Sequence, residues 1–77
     1  MGEKQVDLYK IIGKNIRHYR KAKGLSQEAL ADKASISLSY LTKIEAPNCD
    51  KSFSLEVLFD ISRALDMDAR ELLEGIK

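Results

Sequence analysis

The stretch QEALADKASISLSYLTKIEA, residues 27–46, decides the fold, because its apolar residues repeat at helical spacing on both sides of a short polar break. Ser26 and Ser37 are good N-cap residues, so we predict that a helix begins after each of them. The break between the two helices, residues 35–37, is only three residues long. The two helices must therefore cross closely, with these apolar residues facing inward: Leu30, Ala31, Ala34, Ile36, Leu41 and Ile44.

The spacing of this helix pair is typical of a helix-turn-helix motif. A small residue, Ala31, stands where the helices cross, and an apolar residue, Ile36, lies in the turn. In DNA-binding forms of the motif, the first helix lies across the DNA backbone and the second enters the major groove. Any tightly crossed pair of helices needs the same two features. The spacing alone therefore leaves a DNA-binding role and a purely structural role open.

The rest of the chain predicts three further helices around this pair. An apolar stripe indicates a first helix that ends at Gly24, where glycine accepts the left-handed conformation. Ser54 and Asp68 are N-caps for a fourth and a fifth helix. The predicted helices span, in order, about 6–23, 27–34, about 38–46, a segment from 55 with the stripe Leu55, Leu58, Ile61 and Leu65, and 69 to about 75. These helices predict an all-α fold, a compact five-helix domain formed by residues 1–77.

Length and composition exclude several classes of protein. The 77 residues make one domain at most and are too few for barrels or doubly wound sheets. One cysteine excludes an internal disulfide, and with one histidine it excludes a closed tetrahedral zinc site. Without a membrane-length apolar stretch or a signal-peptide pattern, we expect a cytoplasmic protein. Without a nucleophile–base pair or a phosphate-binding glycine loop, we expect no enzyme activity, no cofactor and no metal.

The charge of the chain is unevenly distributed, although the net charge is only +1. Residues 1–23 carry seven Lys or Arg against two acidic residues, and residues 52–77 carry three against six. A basic beginning suits a protein that docks an anion such as nucleic acid. A solvated helix face has the same composition, so the charge alone leaves both interpretations open.

Four separated stretches resemble the Cro/repressor-type (Xre-like) helix-turn-helix family. They are IGKNIR (12–17) followed by KGLSQEALA (23–31), then SYLTKIE (39–45), and then SLEVL (54–58) with Ala64 and Leu65. Together they cover about residues 10–74 in the family's order. The resemblance implies a lambda-repressor-like fold and a transcription regulator that binds a palindromic double-stranded DNA operator as a homodimer. By analogy with the family, the regulator is a restriction–modification controller, a phage-type repressor or an antitoxin, and the resemblance leaves these three open.

The resemblance also implies roles for individual residues. Gln27 would contact the phosphate backbone and brace the recognition helix, and Arg20 and Glu45 would form a partly buried ion pair. The start of the third helix would face the major groove, where Lys43 donates to guanine or phosphate and Leu38 meets a thymine methyl group. The predicted DNA-binding residues are Gln27, Ser37, Leu38, Ser39, Tyr40, Thr42, Lys43, Asn48 and Lys51.

The chain departs from the family at the turn, where Ser35 stands in place of the usual glycine. A left-handed serine costs on the order of 1 kcal/mol, so a strained or differently shaped turn is expected. The segment from Glu45 to Ser54 is also a residue or two longer than the usual pattern. No Arg or Gln stands on the recognition face, so specificity is expected to depend partly on DNA shape.

The predicted homodimer requires an apolar contact surface near the acidic end of the chain. The candidates are Met67, Leu72, Leu73 and Ile76, with Phe59 as a further one, and part of this set must serve the core instead. The alternative function is a protein-interaction module, antitoxin-like or bridging, that keeps the same fold without specific DNA binding. The nearly neutral total charge and the uncharged start of the recognition helix favour this alternative. Binding to a selected DNA duplex discriminates between the two.

Overall fold

The computed structural model describes residues 4–47 and 52–75. Its elements are α1 (Lys4–Ala22), α2 (Gln27–Ala34), α3 (Leu38–Glu45), α4 (Leu55–Ala64) and a 3-10 helix (Ala69–Leu73). The described ranges contain no β-strand, which confirms the predicted all-α class. None of their helices combines the length and the apolar character needed to cross a lipid bilayer.

Serine residues start three of the four α-helices. The Oγ atoms of Ser26 and Ser37 each accept a hydrogen bond of 3.0 Å from the backbone N–H three residues further on. Ser54 accepts the corresponding bond from Val57 at 3.2 Å. Each bond satisfies a backbone donor that has no partner within the first helical turn, which is why these helices begin where the sequence predicts.

The core is formed by apolar residues from all five elements. Its buried members are Ile12, Ile16, Leu30, Ala31, Ala34, Leu41, Ile44, Leu58, Ile61, Leu65 and Leu72. The predicted inward stripes therefore pack, except at Leu55, which the sequence predicts to face inward with Leu58, Ile61 and Leu65 but which is 70% exposed in the first turn of α4. The prediction that Leu72 serves the dimer interface is wrong, because this side chain is fully buried in the core and offers no surface to a second copy.

The predicted fifth α-helix is a 3-10 helix that ends at Leu73. Asp68 caps its start, where Oδ1 accepts a hydrogen bond of 2.9 Å from the N–H of Arg70. Arg70 also donates to the Asp68 carboxylate through its side chain, and this contact lowers the pKa of Asp68. Gly75, at φ +94°, turns the chain away from a right-handed helix. The segment is thus too short for the predicted α-helix.

The end of the 3-10 helix is held against α1 by side chains of that helix. Asn15 Nδ2 donates to the carbonyl oxygens of Leu72 and Glu74, at 2.8 and 2.9 Å. The Tyr19 hydroxyl donates to Glu74 Oε1 at 3.1 Å, and this bond to a carboxylate raises the pKa of Tyr19. These bonds satisfy terminal carbonyls that a longer α-helix would use internally.

Ser35, in the turn between α2 and α3, has left-handed backbone angles of φ 60° and ψ 39°. We expect Ser35→Gly to raise the free energy of unfolding by up to about 1 kcal/mol, because glycine adopts this conformation without the steric cost of a Cβ. Urea unfolding followed by circular dichroism measures the change. Ser37→Gly is the control, since Ser37 is extended, and it is expected to cost a few tenths of a kcal/mol. A clear loss of stability in Ser35→Gly would show that the left-handed backbone at Ser35 is not strained.

Candidate nucleic-acid interface

The turn between α2 and α3 places the two helices at a close crossing. The N–H of Ile36 donates to the carbonyl of Ala31 at 3.0 Å, and the Ile36 side chain packs against the core. Ala31 itself is buried, so its small side chain lies between the packed helices. This arrangement fixes the direction in which α3 leaves the turn.

Helix α3 has one buried face and one exposed face. Leu41 and Ile44 are fully buried, and Tyr40 is half-buried against the core. The remaining predicted contact residues of this helix and its cap are exposed: Ser37, Leu38, Ser39, Thr42 and Lys43. The structure therefore brings these five side chains together on one surface, with Tyr40 at its edge.

The exposed face of α3 offers hydrogen-bonding groups and one large apolar side chain. The Thr42 hydroxyl donates to the carbonyl of Ser39 at 2.7 Å, which leaves its oxygen available as an acceptor. Ser37 Oγ accepts the N–H of Tyr40, so its own O–H is free to donate outward. Leu38 is 39% exposed, which leaves an apolar surface beside these polar groups. The predicted loop contacts Asn48 and Lys51 lie outside the described residues.

A buried ion pair and the half-buried Gln27 tie α3 to α1 and to the start of α2. Arg20 Nε and Nη2 donate to the two carboxylate oxygens of Glu45 at 2.8 and 2.9 Å, a bidentate ion pair. Arg20 Nη1 donates to the carbonyl of Leu25 at 2.8 Å, and Gln27 Nε2 donates to Glu45 Oε1 at 3.0 Å. The two charged residues are only 7% and 6% exposed. Helix α3 is therefore held in place from two neighbouring elements, α1 and the start of α2.

A comparison with known families identifies the motif. The sequence profile of the helix-turn-helix family matches residues 16–72, well over half of the chain. This chain is a member of the Xre-like helix-turn-helix family. The match runs from the second half of α1 through α2, α3 and α4 into the 3-10 helix, and it includes the positions of Arg20 and Glu45.

Relatives of this helix-turn-helix protein include named transcription regulators. SinR of Bacillus subtilis (strain 168), an HTH-type transcriptional regulator, is 41% identical over 64 residues, which are 83% of this chain and 57% of SinR. The control protein C.SmaI of Serratia marcescens is 30% identical over 74 residues, which are 94% of this chain and 86% of C.SmaI. This chain thus spans a little over half the length of SinR and most of the length of C.SmaI.

A solved structure agrees with the fold. The restriction-modification controller protein C.AhdI from Aeromonas hydrophila matches with a TM-score of 0.76 and 39% sequence identity. The match covers 86% of this chain and 96% of C.AhdI. At this coverage the likeness extends beyond the helix-turn-helix motif to the surrounding helices.

Gly13 is a supporting residue of this helix-turn-helix protein that the sequence analysis missed. A Cβ atom added at Gly13 would lie 2.1 Å from the carbonyl oxygen of Ile44, far inside van der Waals contact. Only glycine therefore lets α1 approach the last turn of α3 this closely. An isolated glycine in the middle of a predicted helix is a known signal of such an approach.

The other predicted dimer residues have mixed positions. Leu73 is 38% exposed, and Met67 is half-buried against the core. Ile76 lies outside the described residues. Phe59 is 47% exposed, and Leu55, one turn before it on α4, is exposed as well. Of the predicted dimer residues that the structure describes, only Leu73 and Phe59 are therefore exposed.

Proposed function

We propose that this protein is a sequence-specific, double-stranded DNA-binding transcription regulator, without enzyme activity, whose α3 enters the major groove. The observation that carries the proposal is the exposed face of α3, which the buried Arg20–Glu45 ion pair and the Gln27 amide hold against α1 and α2. The family likeness supports it, because regulators and controllers match this chain over 83–94% of its length. No cofactor or metal takes part in this function.

The side chains of α3 suit the edges of base pairs. Lys43 is placed to donate to guanine or to a phosphate, and Ser39 and Thr42 to exchange hydrogen bonds with base edges. Leu38 suits contact with a thymine methyl group. Gln27 uses one N–H on Glu45 and keeps a second amide N–H for a phosphate. Asn48 and Lys51 complete the proposed backbone contacts.

One chain presents only a few side chains that can contact base edges, so we propose that two chains bind a palindromic operator. In such a dimer the two recognition helices enter successive major grooves about 34–36 Å apart. The proposed contact residues are exposed Leu73, half-buried Met67 and Ile76, with exposed Phe59 on α4 as a further member. Control of a restriction–modification system is the setting favoured here, because C.SmaI and C.AhdI are matched over 86% and 96% of their lengths.

The recognition face is tested by the double variant Ser39→Ala with Lys43→Ala. On a duplex selected from a random pool, we expect a loss of about 2–4 kcal/mol of binding free energy, roughly 30- to 1000-fold. Both residues are exposed, so circular dichroism and thermal unfolding are expected to stay unchanged. Lys33→Ala, an exposed change on α2, is the control for charge. Undiminished binding by the double variant would show that α3 does not read the duplex.

A further inference from the structure

Helix α1 carries a basic face that the proposed function does not use. Lys10, Lys14, Arg17 and Lys21 follow one another at steps of three or four residues, and all four are exposed. Residues at this spacing lie on the same side of a helix. The result is a stripe of positive charge along the outer surface of α1.

The first three residues of this stripe line a groove between α1 and the end of α3. The groove has a volume of about 490 Å³ and is lined by Lys10, Ile11, Lys14, Arg17, Glu45, Ala46 and Pro47. Its one acidic lining residue, Glu45, already accepts hydrogen bonds from Arg20 and Gln27. Because that carboxylate is paired, the three cations of α1 set the sign of the potential in the groove.

The groove continues into the proposed recognition surface. Arg17 also lines an adjoining groove of about 610 Å³ that includes Gln27 and Thr42. The close approach at Gly13 keeps α1 beside the last turn of α3. DNA that lies against α3 and the start of α2 therefore has the basic face of α1 next to it.

We propose that Lys10, Lys14 and Arg17 bind backbone phosphates of the DNA that flanks the base pairs read by α3. This inference rests on the proposed function. From Lys10 to Arg17 the helix rises about 10.5 Å, so the three cations are spread widely enough to reach more than one phosphate of a strand, whose charges recur about every 3.4 Å along the DNA axis. The contacts carry no sequence information, so they lengthen the footprint and raise affinity without changing the consensus.

The test compares the wild type with the double variant Lys10→Gln and Lys14→Gln on two duplexes. The short duplex contains only the selected consensus, and the long duplex adds about one helical turn of DNA, roughly 10 base pairs, on each side. On the long duplex, we expect the slope of log affinity against log salt to fall by about 2 per bound chain, close to 0.9 for each lost phosphate contact. On the short duplex, the variant and the wild type are expected to show the same slope of log affinity against log salt.

The control variant, Lys33→Gln with Arg63→Gln, removes the same charge from a groove that shares no lining residue with the other two. Any effect of the control variant on affinity or on its salt dependence is expected to be the same for the short and the long duplex. If the α1 variant also changes both alike, or changes neither, the phosphate site is refuted while the proposed function stands. If the wild type shows no sequence preference on either duplex, the proposed function is refuted and the phosphate site with it.

Discussion

Arg20→Met is expected to lower the free energy of unfolding by about 3–5 kcal/mol. Arg20 supplies two of the three side-chain hydrogen bonds to Glu45, whose own side chain is only 2% exposed. Methionine fills a similar volume but leaves a buried carboxylate with the Gln27 amide alone. In a domain of this size, such a loss lowers the melting temperature by about 4–8 °C for each kcal/mol. Urea and thermal unfolding followed by circular dichroism measure it.

Two further variants serve as controls for the effect of leaving a buried charge without its partner. Arg20→Met combined with Glu45→Leu removes both charges and is expected to recover much of the stability, because apolar replacements of a buried pair are often neutral. Arg63→Met breaks the ion pair with Asp60, in which the arginine side chain is 73% exposed, and is expected to cost at most about 1 kcal/mol. An unchanged melting temperature in Arg20→Met would contradict the stabilising role of the buried ion pair.

Gly13→Ala is expected to destabilise the protein by about 2–3 kcal/mol or more, despite the better helix propensity of alanine. The added methyl group would meet the backbone carbonyl of Ile44 at 2.1 Å, and a backbone atom has no rotamer by which to move away. Helix α1 must then shift from the end of α3, which strains the Arg20–Glu45 pair. Thermal unfolding and DNA binding are expected to be impaired together.

Gly24→Ala is the matched control for this substitution. Gly24 has a φ of +72° but no atom within 4 Å of an added Cβ, so alanine there meets only the backbone cost, about 1–2 kcal/mol. We therefore expect Gly13→Ala to lower stability more than Gly24→Ala does. Of the two variants, only Gly13→Ala is expected to weaken DNA binding by more than the fraction of unfolded protein explains. A Gly13→Ala protein as stable as the wild type would refute the close contact.

Local signals in the sequence predict most of the helical framework. Ser26, Ser37 and Ser54 each cap a helix, and a cap together with a stripe at helical spacing depends only on neighbouring residues. The left-handed turn at Ser35, by contrast, is expected from the family resemblance, in which a glycine usually stands at this position. The exposed face of α3 follows from the burial of Leu41 and Ile44 on the opposite side.

The features that the sequence did not reveal depend on contacts between distant residues. Asn15 binds the carbonyls that end the 3-10 helix, 57 and 59 residues further along the chain. The same docking buries Leu72, which an apolar pattern at the chain end could not distinguish from an interface residue. The partnership of Arg20 with Glu45 came from the family resemblance, and the third member of that cluster, Gln27, adds a bond that no spacing rule predicts.

Selection from a pool of random DNA duplexes tests the central claim most directly. The purified protein is equilibrated with the pool at ~100 mM salt, bound duplexes are sequenced, and the selected duplex is then titrated with salt. We predict a palindromic consensus with half-site centres about 10 base pairs apart, two chains for each duplex, and an affinity that falls steeply with salt. Weak binding with no enriched sequence, from a protein with intact helicity and cooperative unfolding, would contradict the account.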